Sequence, residues 1–378
     1  MITVVFYTSG HGFGHASRDI EVINGLAARR PDARIVVRTT VPPWLFERSA
    51  HAGIEIMPVE TDTGVAQIDS LRLDEDETAR RAAQFYATFD ARVDAEATLL
   101  RSLRASIVVG DIPPLAFAAA ARARVPAVAL GNFTWDWIYA GYPQFEQLAP
   151  GVLEIIRNSY AAATLALRLP LHGGFAPMAR VTRDIPLIAR RSRHSKAAAR
   201  RMLDLDAGRP VVLASFGGHG VDLPYKAIAS RHDFTLIVTD LERVAGTMDP
   251  ERLTRIASGG LAERGLRYED LVAAADVVVS KPGYGIVSEC IANGTALLYT
   301  SRDRFVEYDV FVAEMPRMLR CLFLPQTDLL EGRWGAGVEA LGQQPAPPEH
   351  IAVNGCDVAV DALLRLVPPA AGARADRE

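Results

Sequence analysis

The sequence predicts an α/β protein of two domains, each a parallel β-sheet flanked by helices, and three observations carry that prediction. The chain has 378 residues, 49% hydrophobic and 23% charged, enough for two cores rather than one. Short apolar runs of strand length alternate with longer stretches of helical periodicity. A strand, a glycine-rich loop and a helix open each half, once from residue 2 and again from residue 210.

Taken in order, residues 2–8 and 34–39 read as the first two strands, with Ile20, Val22, Ile23 and Leu26 lining the inner face of the helix between them. A long helix is expected after the acidic stretch 74–77, with Phe85, Phe89, Val93, Leu100 and Leu103 on its apolar face. Residues 106–111 form a buried strand ending in an acid, Asp111, and 125–130 the next strand. Strands at 210–215, 234–239, 275–280 and 296–300 make the second series. The expected division is a first domain over 1–170, a linker over 171–209, a second domain over 210–345, a terminal helix over 346–367 and a disordered tail over 368–378. Residues 180–201 carry seven arginines. They read either as a solvated linker and helix face or as a hinge whose arginines meet phosphate.

Composition excludes several classes. A net charge of −4 gives no global field for nucleic acid or an anionic membrane. Three cysteines without paired spacing, Cys290, Cys321 and Cys356, argue against a disulfide framework or a zinc site and fit a reducing cytoplasm. The first residues lack a basic leader and read as a strand rather than a signal peptide. No apolar run approaches the roughly 20 residues that span a bilayer; peripheral contact with a membrane surface is left open. The acidic groups 74–76 and 204–206 read as solvated loops, and no metal is expected.

The chemistry is expected at the loops. Residues 9–15, Ser-Gly-His-Gly-Phe-Gly-His, sit between the first strand and its helix, where glycines allow a sharp turn and a helix N-terminus favours negative charge. A dinucleotide fingerprint would need a third glycine where His15 stands and an acid at the end of strand two, which instead ends Arg38-Thr39-Thr40. Parallel sheets place ligand chemistry at the carboxyl ends of their strands, so Asp111 is a candidate partner for His15; alternatively it caps a turn before Pro113-Pro114. A carboxylate bonded to one imidazole nitrogen leaves the other free as a base. His11 reads equally as structural or as a ligand contact. Residues 132–139 bring Trp135, Asp136 and Tyr139 together, either as core or as the wall of an acceptor site.

In the second half, Ser215, Gly217 and Gly218 follow one strand, and Lys281, Gly283, Tyr284 and Gly285 follow another. Two sets of backbone N–H groups facing one crevice suffice to cradle a pyrophosphate, with Lys281 as a point charge. Glu289, one turn into the helix that follows, either accepts from ribose hydroxyls or complements the helix dipole. Neither loop matches the phosphate loop of ATPases.

These motifs resemble the GT-B superfamily of glycosyltransferases over nearly the whole chain, which implies two Rossmann-like parallel-sheet domains facing an interdomain cleft. The loop holding Gly14 and His15 is similar to the glycine–histidine loop of plant and bacterial sugar transferases. There the matching histidine is the acceptor base and an acid matched by Asp111 supports it. Residues 276–289 resemble the donor motif of the N-acetylglucosaminyltransferase that forms lipid II, whose matching glutamate, here Glu289, holds the nucleotide ribose. The stretch 302–307 is similar to the one contacting the donor sugar, which makes Glu307 a candidate. Residues 8–18 and 131–139 carry a closer likeness to the N-terminal, glycosyltransferase-like half of plant arabinokinases. The glycine- and serine-rich phosphate loop of their kinase half does not occur in these residues, so the resemblance implies no kinase. The chain departs from the lipid II enzyme in its first loop and from the plant donor signature in length.

The resulting expectation is a cytoplasmic, metal-independent, inverting transferase acting on a nucleotide-diphosphate sugar, a UDP-sugar by resemblance, and on an unidentified hydroxyl acceptor. It needs no cofactor beyond that co-substrate. A sugar-nucleotide epimerase or hydrolase, or a silent sugar-nucleotide-binding domain, are the alternatives.

Overall fold

The structure is a computed structural model and describes residues 2–51, 53–206, 208–217, 220–239 and 252–367. The chain divides into two units, one of Met1–Ala66, Asp74–Ile188 and Ala352–Glu378, the other of Gln67–Leu73 and Ala189–Ile351.

The strands of the first unit are β1 (Thr3–Thr8), β2 (Arg34–Thr39), β3 (Ile54–Pro58), β4 (Ile107–Asp111), β5 (Ala127–Gly131), β6 (Leu165–Arg168) and β7 (Thr182–Asp184). They pair in parallel in the order β3-β2-β1-β4-β5-β6-β7. Strands buried on both faces need continuous apolar runs, and β1, β4 and β5 are buried at every position. The second unit contains β8 (Val211–Ala214), β9 (Thr235–Thr239), β10 (Leu253–Ile256), β11 (Val277–Ser280), β12 (Ala296–Tyr299) and β13 (Cys321–Phe323), parallel in the order β10-β9-β8-β11-β12-β13. Its core gathers Val212, Leu236, Val279, Leu298 and the fully buried Trp334. Among the described residues no helix is long and apolar enough to cross a membrane.

Each sheet reverses its winding at one place, between β1 and β4 in the first unit and between β8 and β11 in the second. The loops leaving adjacent strands at such a point diverge and leave a crevice beyond the strand ends. The three glycine loops, after β1, β8 and β11, follow strands at these positions.

The expected boundaries shift. Residues 171–209 are not a linker: β7 lies at one edge of the first sheet, and the helix Lys196–Met202 belongs to the second unit. The chain then returns to the first unit, where the helix Gly355–Leu366 packs on helix α1 (Phe13–Arg29). The long helix expected after residue 77 is two, Glu75–Ala87 and Phe89–Ser102, broken at Thr88, whose hydroxyl donates to the Phe85 carbonyl. Five strands, β3, β6, β7, β10 and β13, were not expected; each has three to five residues, too short for period-two alternation to show. The expected tail, 368–378, lies outside the described residues.

Candidate active site

Helix α1 begins immediately beyond Gly12, whose φ of 80° lies in the region that glycine adopts without strain. Phe13, Gly14 and His15 are its first three residues, so their N–H groups have no partner inside the helix. The pairing of Thr8 with Asp111 across β1 and β4 brings the end of β4 beside this loop, and the Ser9 N–H donates to the Asp111 carbonyl at 2.9 Å.

His15 Nδ1 lies 2.8 Å from Asp111 Oδ1. Both side chains are buried. Arg18, one helical turn beyond His15, donates from Nε to Asp111 Oδ2 at 2.7 Å and from Nη2 to Oδ1 at 2.5 Å. Its Nη1 reaches Asn132 Oδ1 at 3.1 Å. Burial alone would push the Asp111 carboxyl up, but Arg18 and His15 outweigh it and hold it below the usual carboxylate range. An ionised Asp111 only accepts, so the proton of the neutral imidazole sits on Nδ1 and Nε2 keeps its lone pair.

Two further acids adjoin this pair. Asp19 Oδ2 accepts from the Thr8 hydroxyl at 2.5 Å. Burial first, and then the charge of Asp111, raise its carboxyl well above the ordinary range, so it keeps its proton where an exposed aspartate has lost it. Asp62, in the loop after β3, accepts from the Ser9 hydroxyl at 3.0 Å and from Trp135 Nε1 at 2.8 Å. Burial pushes it up to about 6, against the two hydrogen bonds and the nearby His15.

Asp62 gives a stability prediction. Between the ordinary aspartate range and about pH 6 the folded chain holds a proton that the unfolded chain has released, so stability falls as pH rises through this window. Asp62→Asn cannot ionise and should remove that fall. In urea unfolding at about pH 4 and about pH 7, the wild type is expected to lose about 2 kcal/mol more than the variant between the two conditions. Equal losses would show that Asp62 ionises normally.

The cluster 135–139 differs from the expected acceptor wall. Trp135 and Tyr139 are each 1% exposed, and Asp136 is buried as well. Trp135 stacks on Tyr139, which stacks in turn on Phe145, while Phe133 and His11 meet Trp135 edge-on. With their faces taken by neighbouring rings, these side chains support the loops from below rather than line a sugar site. His11 is half-buried; its Nδ1 accepts from the Val65 N–H at 3.2 Å, tying the glycine loop to the loop after β3.

In the second unit, the Ser215 N–H donates to the Val279 carbonyl and the Ser280 hydroxyl donates to the Ser215 carbonyl, so the ends of β8 and β11 are held together. Ser215 Oγ and Tyr268 Oη are 2.6 Å apart. Gly217, at φ 78°, is exposed with open space where a side chain would lie; Gly218 lies outside the described residues. Gly283 precedes the helix Tyr284–Asn293, whose first turn holds Tyr284 and Gly285.

Lys281 directly follows β11, in the loop that leads to the helix Tyr284–Asn293. Its Nζ lies 3.6 Å from the point where a Cβ on Gly283 would stand. Burial, and then the like charge of Arg302, lower its ammonium well below the ordinary lysine range, with Glu307 acting in the opposite sense. Glu289 is buried, and its Oε1 accepts from Arg190 Nε at 2.6 Å and from Nη2 at 2.5 Å. One of the seven arginines expected on a linker or hinge thus anchors the candidate ribose-binding carboxylate.

Sequence reasoning found His15 and Asp111 and the structure brings them together. It missed Arg18, Asp19, Asp62 and Arg190. The spacing of three between His15 and Arg18 was a usable signal, since it puts both on one helix face.

No family model matches the sequence. The chain is 29% identical over 373 residues to the L-arabinokinase of Arabidopsis thaliana, an alignment that covers 96% of this chain and 34% of that protein; the chain therefore spans about a third of the length of its relative. Among solved structures it is similar to CalG4, the calicheamicin glycosyltransferase, at a TM-score of 0.63 and 16% identity over 98% of this chain and 99% of that one. The glycotransferase of kitacinnamycin gives 0.62 and 18% over 97% and 99%. Phytolacca americana UGT2, complexed with UDP-2fluoro-glucose and pterostilbene, gives 0.56 and 12% over 97% and 94%. At these identities the likeness establishes the fold, which is GT-B with one parallel-sheet Rossmann-like domain in each unit.

Proposed function

We propose that this chain is a glycosyltransferase that moves a sugar from a nucleotide-diphosphate donor, a UDP-sugar in the leading form of the reading, to a hydroxyl acceptor, with inversion and without a metal. The observation that carries the reading is the His15–Asp111 pair at the winding reversal of the first sheet, with an imidazole lone pair left at Nε2. In the proposed step the acceptor oxygen attacks the anomeric carbon as His15 Nε2 takes its proton. The carbon–oxygen bond to the nucleotide diphosphate breaks on the opposite side. Asp111 stabilises the imidazolium, and Lys281 with the amides of the 215–217 and 283–285 loops stabilises the departing diphosphate. Glu289 holds the ribose and Glu307 contacts the donor sugar. The reading requires the two winding reversals to face one cleft during turnover.

The test is to incubate the chain with UDP-, dTDP- and GDP-sugars and a panel of hydroxylated acceptors, following nucleotide diphosphate release and the anomeric configuration of the product by NMR. Acceptor-dependent release with an inverted product supports the reading. Release without acceptor, or an epimerised sugar, points instead to hydrolysis or epimerisation. Donor choice is first narrowed by thermal shift, where a ligand at about 100 times its Kd adds roughly 2.7 kcal/mol of stability.

Glu289 supplies a second prediction. Glu289→Gln retains an acceptor for Arg190 but loses the charge that favours ribose hydroxyl donors. Hydrogen bonds to charged groups contribute about 1.5–3 kcal/mol, so nucleotide Kd should rise roughly 10- to 100-fold by calorimetry. An unaltered Kd would remove the ribose role.

A second reading, a catalytically silent sugar-nucleotide-binding domain, is favoured by one observation: the relative is about three times longer than the aligned region. Calorimetric donor binding without turnover across the acceptor panel would select it.

A further inference from the structure

The residue that most sets the geometry of the proposed base pair is neither His15 nor Asp111. Arg18 is 4% exposed and reaches three acceptor atoms in three directions: Oδ1 and Oδ2 of Asp111 at the end of β4, and Oδ1 of Asn132 just beyond β5. Asn132 is itself anchored, donating to the Leu171 carbonyl at 3.3 Å. Arg18 Nη2 also passes 3.4 Å from His15 Nδ1. One guanidinium therefore ties the helix that carries His15 to the two strand ends beside it.

Stability alone is a poor reason for this arrangement. Taking an ion pair out of water costs several kcal/mol per charge, and apolar residues of similar volume often serve a core as well or better. What an apolar pair cannot do is fix the rotation of a carboxylate. The planar fork of arginine matches both oxygens at once, which holds Oδ1 at 2.8 Å from the imidazole Nδ1. The charge matters as much, because burial opposes an ionised Asp111, and a protonated Asp111 would no longer be a pure acceptor for Nδ1–H.

We infer that Arg18 is the positioning residue of the His15–Asp111 pair: its fork fixes both oxygens of Asp111, and its charge offsets the burial of that carboxylate. The inference rests on the proposed function for its catalytic consequence and on geometry alone for its electrostatic one. The charged and titratable groups around Asp111 are His15, Arg18 and Asp19 from α1 and Asp62 from the loop after β3. Arg18 is the permanent cation among these groups, so removing it leaves His15 alone to offset the burial of Asp111.

The test uses the whole chain carrying 13C-carboxyl-labelled aspartate, with the Asp111 resonance assigned by its loss in Asp111→Asn. In the wild type this signal should stay that of a carboxylate from neutral pH down to the lowest pH at which the fold holds. In Arg18→Met, and in Arg18→Gln should the methionine variant fail to fold, it should titrate at a higher pH, and the acid limb of kcat/KM should move up with it. Arg18→Lys keeps the charge but cannot span three acceptors. It should hold Asp111 ionised and leave the acid limb in place while kcat falls at least about tenfold, since misplacing a reacting group by about 1 Å can cost 10²-fold.

A folded neutral variant whose Asp111 remains ionised over the wild-type range would overturn the inference. So would an Arg18→Lys variant with full kcat. Failure of the proposed function reads differently: His15→Ala with intact turnover would remove the base, while the carboxyl titration would still decide what Arg18 does.

Discussion

His15→Ala is expected to lower kcat by about 10²–10⁴-fold, the usual contribution of a positioned general base, while donor Kd changes by no more than about twofold. The asymmetry follows from where the side chain sits. His15 is in the first turn of α1, bonded to Asp111 and beside Arg18, all in the first unit, whereas the residues proposed to hold the donor, Lys281 and Glu289, belong to the second. Steady-state kinetics and calorimetry on the same preparation check both halves. Unchanged turnover would remove the base assignment, and a loss of donor affinity matching the loss of rate would show that His15 holds the donor instead.

Asp111→Ala is expected to be the most damaging single change to the fold of the first unit. It takes away two of the three acceptor atoms of a guanidinium that is 4% exposed, along with the partner of His15 Nδ1. Breaking a buried ion pair from one side leaves an uncompensated charge and costs about 3–5 kcal/mol, which urea unfolding would resolve. Asp111→Asn keeps one oxygen to accept from Arg18 and should lose less stability while still losing rate, because the imidazolium formed in the proposed step loses its counter-charge. An Asp111→Ala variant as stable as the wild type would mean that Arg18 finds another partner.

How much of this was legible beforehand depends on the length scale of each signal. The His15–Asp111 partnership could be read because two general rules intersect there: glycine loops follow first strands, and parallel sheets place chemistry at strand ends. Asp62 could not, because it follows β3, whose five residues Ile-Glu-Ile-Met-Pro are half-buried or exposed and carry no long apolar run. Arg190 was visible as one arginine among seven, but its partner Glu289 lies 99 residues away, and no local pattern links them. The aromatic cluster shows a different limit. Trp135 and Tyr139 spell the same sequence whether their faces meet a ligand or Phe145, and only the packing decides. The two-domain α/β plan emerged from repetition of strand, loop and helix, and GT-B from the resemblance of the loop motifs, whereas the domain boundaries did not emerge, since the first unit is assembled from three separate stretches of chain.

That discontinuity has a consequence for the order of events on the ribosome. The helix that carries His15 is made well before Gly355–Leu366, the segment that covers one of its flanks. The two approach so closely that a methyl group on Gly25 would stand 2.7 Å from Cys356 Sγ, and the Cys356 thiol donates to the Glu21 carbonyl. During synthesis at roughly 5–20 residues per second, the first unit must wait for the entire second unit to emerge before its outer layer closes. A nascent chain halted at residue 351 would hold every proposed catalytic side chain, with the back of the helix that presents His15 still bare.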